Sequence, residues 1–340
     1  MKCRPEHLLL FYASLWEHDE PILARTIGQC AAEVEWNYLI EAAETFGVCG
    51  GLETLLSSAG IGIPVNGRLR AAAAGEAAAT ASMLRLFGEV SSLLERSGIP
   101  FMPLKGCDRR ISGGARRFSN PMEDVDILVR EEDVEKAGGL LERNGYIFIG
   151  TGSGAHMNFA TDEETPRFIE VHWDLVNRRS PVQRSLFRPR ITGVWERSVS
   201  VGGIRHMSPA DLACYLTVHA VKEYFRRPKW LADIAYALNA PDGRADAAAL
   251  RDAIEEWNVS CALGIAAAAI ASATGDARFE AVYGSGAARP GPLGRFMAER
   301  LLGYDGLRGM RPLLWTACAR SLKDMCAVAA GMFLYLTAKR

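Results

Sequence analysis

The sequence predicts an α+β fold in which a small mixed β-sheet lies between an N-terminal and a C-terminal helical region. Apolar residues recur at helical spacing up to about residue 95 and again after residue 208. Between them, short apolar or alternating runs are separated by glycine- and proline-containing turns, which is typical of strands. Hydrophobic residues make up 49% and charged residues 23% of the 340 residues, the composition of a globular protein. We therefore expect three parts: helices over 1–95, a catalytic core bearing the sheet over 96–207, and helices over 208–340.

The first helical region contains three segments with helical character. Leu8–Leu15 and Trp36–Ala43 each repeat apolar residues at helical spacing. Leu69–Ser97 is rich in Ala, Leu and Glu, which are good helix formers, so it predicts one long helix.

The middle region contains the candidate strands. Ile99–Leu104 carries two prolines, which favour a sheet edge or a strand end, and Asp124–Val129 is the stronger strand. Glu131–Asn144 predicts a helix that ends at Gly145. Further strands are expected over five segments, the last two joined by a Gly-Gly hairpin: Tyr146–Ile149, His156–Ala160, Arg167–Val176, Val194–Val201 and Ile204–Met207.

Helices return at Ser208, which predicts an N-cap followed by proline at the first helical position. Pro228 begins the next helix. Asp246–Trp257 and Cys261–Thr274 predict two more, and 284–294, rich in Gly, Pro and Ala, predicts a loop.

Charge and cysteine content limit the class of function. A formal net charge of −1 argues against general nucleic-acid or membrane-surface binding. The eight cysteines occur singly, without a C-x-x-C pair, which favours reduced thiols. The apolar runs Leu8–Trp16 and Met325–Ala338 are too short to cross a bilayer, and the first lacks the cleavage site of a signal peptide. We expect a cytoplasmic protein.

Three acidic residues are expected on one face of the sheet. Side chains alternate along a strand, so Asp124 and Asp126 share a face, and so do Glu170, His172 and Asp174. Taken alone, a D-x-D pair is as compatible with two solvated aspartates at a strand end. Three converging carboxylates repel one another unless cations neutralise them, and oxygen ligands suit Mg²⁺. Two such ions can hold the attacking and leaving oxygens of a phosphoryl or nucleotidyl displacement.

Basic residues flank these acids. Lys105-Gly106 follows an apolar strand and begins a helix, where unpaired N–H groups, close backbone approach and the lysine charge favour a phosphate. An ordinary strand-to-helix turn is the alternative. Between this turn and the D-x-D pair lie four arginines: Arg109, Arg110, Arg116 and Arg117. They are expected either to bind an anionic substrate or to belong to a solvated basic loop.

Five short motifs occur in a characteristic order: Leu104–Gly106, Pro121–Val129, Ile169–Trp173, His219–Lys222 and Trp230–Asp233. In this order they resemble the L-K-G, P-M-G-D-I-D-L-L-V, E-L-H-W, H-x-x-K and W-x-x-D motifs of the uncharacterised nucleotidyltransferase family. That family belongs to the polymerase-beta-like nucleotidyltransferase superfamily. The resemblance implies a nucleotidyltransferase-type sheet and transfer of a nucleotide from an NTP, with ATP the favoured donor.

The resemblance also implies roles for the matched residues. It implies that Asp124, Asp126 and Glu170 hold Mg²⁺, with two ions when NTP is bound, and makes Glu170 a candidate acceptor of the substrate proton. It implies that the nucleotide contacts a second set of residues: Lys105, Gly106, His219, Lys222 and Asp233.

Three positions depart from the family pattern: Asn120 replaces an Arg, Glu123 a Gly, and Glu223 a second His. They leave open a nucleotide-binding regulatory or partner protein without turnover. A metal-dependent phosphohydrolase that uses the same acids is a further alternative. The motifs do not specify the acceptor, which is expected to carry a hydroxyl or phosphate on a small molecule, a peptide or a protein.

Overall fold

The computed structural model describes residues 4–15, 33–61, 66–112, 122–152, 154–162, 164–239, 246–303 and 310–337. Arg116, Arg117 and Asn120, to which the sequence drew attention, lie outside these residues.

The N-terminal region is helical, as predicted. Its helices are α1 Pro5–Ser14, α2 Trp36–Phe46, α3 Cys49–Ser58 and the long α4 Asn66–Arg96. The Glu76 carboxylate of α4 accepts the backbone N–H groups of Cys49 and Gly50 at 3.0 and 2.9 Å. These N–H groups at the start of α3 have no partner within their own helix, so Glu76 both caps α3 and ties it to α4.

A five-stranded mixed sheet follows, which confirms the predicted α+β class. Its strands are β1 Phe101–Pro103, β2 Asp124–Val129, β3 Ile147–Gly152, β4 His156–Ala160 and β5 Phe168–His172. The order across the sheet is β1-β2-β5-β4-β3, with β2 and β5 parallel and the other pairs antiparallel. The proline-containing β1 is an edge strand, as its prolines predicted. Helix α5 Lys105–Ser112 follows β1, and α6 Val134–Arg143 follows β2 after a 3₁₀ turn.

The other sheet edge is β3, which is apolar and exposed. Ile147, Phe148 and Ile149 are 39%, 44% and 53% accessible to solvent. A bulge between Phe148 and Gly150 shifts the register with β4, and Gly150 there takes φ 149°, a value that favours glycine.

The two faces of the sheet pack against different helices. Val125, Ile127 and Val129 of β2 lie with Ile169 and Val171 of β5 in a fully buried cluster that includes side chains of α4 and α6. The alternate residues of β2 face the C-terminal helices, and Leu128 packs into their core. Period-two alternation therefore turns Asp124 and Asp126 away from the α4 side of the sheet.

The two largest errors in predicted strand length concern the hairpin and β5. Residues 194–196 belong to helix α8 Ile191–Glu196, so the hairpin is only β6 Val199–Val201 with β7 Ile204–His206. The other strand, β5, ends at His172. Asp174 Oδ1 accepts the N–H groups of the two residues that follow it, at 2.7 and 3.2 Å, which turns the chain out of the sheet. The prediction that Asp174 extends the face of Glu170 was therefore wrong.

The rest of the described chain is mainly helical. Helix α7 Pro181–Leu186 precedes α8, and the C-terminal helices are α9 Pro209–Lys222, α10 Pro228–Asn239, α11 Ala247–Trp257, α12 Ser260–Thr274, α13 Pro292–Leu301, α14 Arg311–Cys318 and α15 Leu322–Thr337. The predicted cap of α9 is present, because Ser208 Oγ accepts the Asp211 N–H at 3.1 Å. Within the described residues, the helices are all too short or too polar to cross a membrane.

Candidate active site

The three predicted acids lie together on the sheet. Strands β2 and β5 pair in parallel with Asp126 opposite Glu170, so their side chains leave the same face side by side. Oxygen atoms of Asp124, Asp126 and Glu170 all lie within 4.8 Å of one another. Three carboxylates that close repel strongly unless positive charge or a proton intervenes.

Lys105 supplies part of that positive charge. Its Nζ donates to Asp126 Oδ1 at 2.6 Å and lies 3.8 Å from Glu170 Oε2. The lysine is the first residue of α5 and has φ 47°, in the left-handed region that non-glycine residues seldom adopt. The residue whose ammonium group contacts the acids therefore has a strained backbone conformation.

The acids differ in their protonation. Burial and the nearby charge of Asp126 raise the pKa of Asp124 to about 7. Burial acts in the same direction on Asp126, but the charge of Lys105 and a hydrogen bond from His172 hold its pKa well below the usual range. Asp126 is therefore ionised at neutral pH, whereas Asp124 is poised to exchange a proton for a cation.

Two histidines complete this face of the sheet. His172 Nε2 lies 3.0 Å from Asp126 Oδ1 and 3.1 Å from Glu170 Oε2. Burial alone would lower the pKa of His172, but these two carboxylates raise it. His156 of β4 is directly opposite His172, and burial together with the charge of His172 lowers its pKa to about 4. The sequence showed both histidines, but only the strand order brings His156 to Glu170.

The acids form the floor of a cleft of about 270 Å³, close to the lower end of the range for small-molecule pockets. Residues of α9 and α10 also line this cleft, and the predicted His219 and Lys222 are among them. The His219 ring packs edge-on against Trp230 with centroids 5.9 Å apart. Burial and the charges of Lys105 and Lys222 hold the pKa of His219 well below its usual range. His219 is therefore neutral at physiological pH.

The remaining predicted residues also line the cleft. Asp233 forms an ion pair with Arg109 of α5, which links α10 to the helix that begins at Lys105. At Gly106, an added Cβ would lie 3.5 Å from Met122 Cγ, an ordinary contact. The residues around Gly106 that the structure describes therefore leave room for a side chain at this position.

Glu123, one of the departures noted above, lies at the entrance of this cleft. Its carboxylate contacts Arg227 and lies 3.6 Å from Lys229 Nζ. Burial would raise the pKa of Glu123, but these two cations lower it. An acid just before the D-x-D pair thus forms ion pairs with two cations of the cleft, one in the α9–α10 connection and one at the start of α10.

A mixed sheet that carries three carboxylates on adjacent strands, beside a lysine at a helix start, defines a protein of the nucleotidyltransferase fold class. The family model described as uncharacterised nucleotidyltransferase matches residues 32–275, and the chain belongs to this family. All the motif residues discussed above fall inside that match. No curated protein matches the chain significantly. Family membership supports nucleotidyl transfer as the general activity.

Proposed function

We propose that the protein transfers NMP from an NTP, with ATP the favoured donor, to a hydroxyl or phosphate acceptor and releases pyrophosphate in a Mg²⁺-dependent reaction. One observation carries the proposal: Asp124, Asp126 and Glu170 converge within 4.8 Å in a cleft that several basic side chains also line. Converging carboxylates opposite cations suit a substrate that is a polyphosphate with bound metal.

The donor set fits Mg²⁺. Asp124, Asp126 and Glu170 offer only carboxylate oxygens, which hard cations prefer, and Asp124 and Glu170 are accessible from the cleft. When bound there, Mg²⁺ would neutralise the acids and stabilise the charge that develops on phosphate oxygens. These three residues are therefore proposed as the ligands and as catalytic residues.

The remaining residues would position the substrates. Lys105 and the start of α5 provide positive charge and helix N–H groups next to the acids, where a phosphate would be held. Lys222 lines the same cleft, and neutral His219 can donate a hydrogen bond to the nucleotide or the acceptor, or accept one from it. Burial would raise the pKa of Glu170, but a hydrogen bond with His172 and the charge of Lys105 lower it, so its carboxylate is ionised and available to accept the acceptor's proton.

The test is transfer of label from each of the four α-labelled NTPs with Mg²⁺ in cell lysate, together with pyrophosphate release. Asp124→Asn and Glu170→Gln are expected to lose at least about a hundredfold in rate, because each removes a metal ligand. Asp252→Asn changes an exposed aspartate of α11 and is the matched control. Full activity in both site variants would refute the assignment.

Glu123 favours a second candidate, a nucleotide-binding protein without turnover. Its ion pairs with Arg227 and Lys229 occupy cations that would otherwise receive phosphate. Mg²⁺-dependent ATP binding without pyrophosphate release in the same assay would favour this candidate. Orthophosphate as the only product would instead indicate the phosphohydrolase.

A further inference from the structure

A second cluster of potential ligands lies beside the three acids and differs from them in chemistry. It consists of His156, Glu170 and His172, with one ligand atom from each within 4.8 Å of the other two. The rings of the two histidines have centroids 4.7 Å apart. His172 Nε2 lies 3.1 Å from Glu170 Oε2, and His156 Nε2 lies 3.9 Å from Glu170 Oε1.

The backbone places these side chains. His156 and His172 are directly opposite each other in the antiparallel pair β4–β5. Glu170 precedes His172 by two residues in β5 and therefore lies on the same face of the sheet. The histidines are only 8% and 6% exposed, so packing holds their rings. Glu170 is more open, and it lines the cleft together with His156.

Gly152 provides an independent sign that this position is built for an imidazole. Gly152 of β3 pairs with His156 of β4, and an added Cβ would lie 2.1 Å from His156 Nε2. Any other residue at 152 would take the space of the very nitrogen that completes the cluster. The ring therefore occupies a recess that depends on a missing side chain.

The donor atoms point to a different ion from the one proposed for the acids. Imidazole nitrogens are borderline ligands that suit first-row transition metals, whereas Mg²⁺ prefers oxygen. Two histidines with one carboxylate is a recurrent set for Zn²⁺ and related ions, and it leaves a coordination position open. His172 Nε2 and Glu170 Oε2 share a hydrogen bond at 3.1 Å, and an ion that replaces its proton would find them near the separation of two ligands about 2 Å from a common ion.

We propose that His156, His172 and Glu170 form a binding site for a divalent first-row transition-metal ion of the Zn²⁺ class. The site opens to the cleft through Glu170, which it shares with the acid cluster. Such an ion therefore competes with Mg²⁺ for Glu170. The proposal does not rest on nucleotidyl transfer, because binding of the ion is measured without nucleotide.

The test is a titration of the purified full-length protein with Co²⁺, whose visible absorption reports imidazole and carboxylate coordination. His156→Gln is expected to weaken binding at least about tenfold, because it removes a direct ligand. His7→Gln is the matched control: His7 lies in α1, where Nε2 is 2.9 Å from Tyr38 Oη, and its replacement should leave Co²⁺ binding unchanged. Asp124→Asn should retain Co²⁺ binding while it loses Mg²⁺ binding, which separates the two sites.

Equal Co²⁺ affinity in wild type and His156→Gln would overturn the proposal, as would a thiolate charge-transfer band, which would indicate cysteine ligation. If His156→Gln fails to fold, Zn²⁺-soaked wild-type crystals decide through anomalous scattering. A peak bonded to His156, His172 and Glu170 supports the site, and its absence there overturns it. Failure of the pyrophosphate assay would leave this result untouched.

Discussion

Lys105 is expected to stabilise the fold as well as to bind substrate. Lys105→Met keeps the length of the side chain but leaves Asp126, 2% exposed, without the ammonium at 2.6 Å. Loss of one partner of a buried ion pair costs about 3–5 kcal/mol, and the 17% exposure of Lys105 favours the lower figure. At about 2 °C per kcal/mol for a large chain, Tm in EDTA should fall by roughly 6 °C.

Mg²⁺ should then restore stability, because a dication supplies the positive charge that the lysine provided. Thermal melts with and without saturating Mg²⁺ measure this, and Lys105→Met should gain more in Tm than wild type does. Lys323→Met, at an exposed position of α15, is the matched control and should change stability by less than about 1 kcal/mol. An unchanged Tm in EDTA for Lys105→Met, or equal Mg²⁺ gains in both proteins, would refute the electrostatic account.

Three further predictions concern packing, pH and the helix start. Gly264→Ala should lower Tm sharply in thermal melts, because its Cβ would lie 1.9 Å from the carbonyl oxygen of Ala288. Gly88→Ala is the matched control in a helix, where an added Cβ would have nothing within 4 Å, and its free energy of unfolding should rise by about 0.5–1 kcal/mol. The affinity for Mg²⁺, measured by calorimetry, should fall about tenfold from pH 8 to pH 6. The pKa of Asp124 is raised to about 7, so below pH 7 a proton occupies the carboxyl group that would bind the ion. A pH-independent affinity would exclude Asp124 as the ligand that exchanges its proton. Gly106→Ala should fold normally but bind ATP at least about tenfold more weakly by calorimetry, and unchanged binding would show that no phosphate approaches this backbone.

The part of the site that depends on alternation could be predicted from the sequence. The side-chain period of two predicted that Asp124 and Asp126 share one face of β2. The alternation of apolar residues around Glu170 likewise predicted that Glu170 lies on the polar face of β5. The start of helix α9 could be predicted equally well, because its Ser-Pro pair caps the helix through a hydrogen bond between residues close in sequence.

What the sequence could not supply was the order of the strands. His156 lies 14 residues from Glu170 along the chain, with a loop between them, and only the β4–β5 register brings the two together. The error at Asp174 had a different origin, since an aspartate that accepts its own downstream N–H groups ends a strand despite a strand-like pattern. The pairing of Asp233 with Arg109 likewise needed the packing of α10 against the sheet region.

The bulge in β3 has a consequence for the behaviour of the protein in solution. An apolar edge strand with regular spacing would offer unpaired peptide groups to a neighbouring molecule, the usual start of β-aggregation. The irregular step between Phe148 and Gly150 breaks that spacing in the middle of the exposed segment, so a flat partner strand cannot follow it. The same kink that adjusts pairing to β4 therefore disfavours the addition of a strand from a second molecule at this apolar edge.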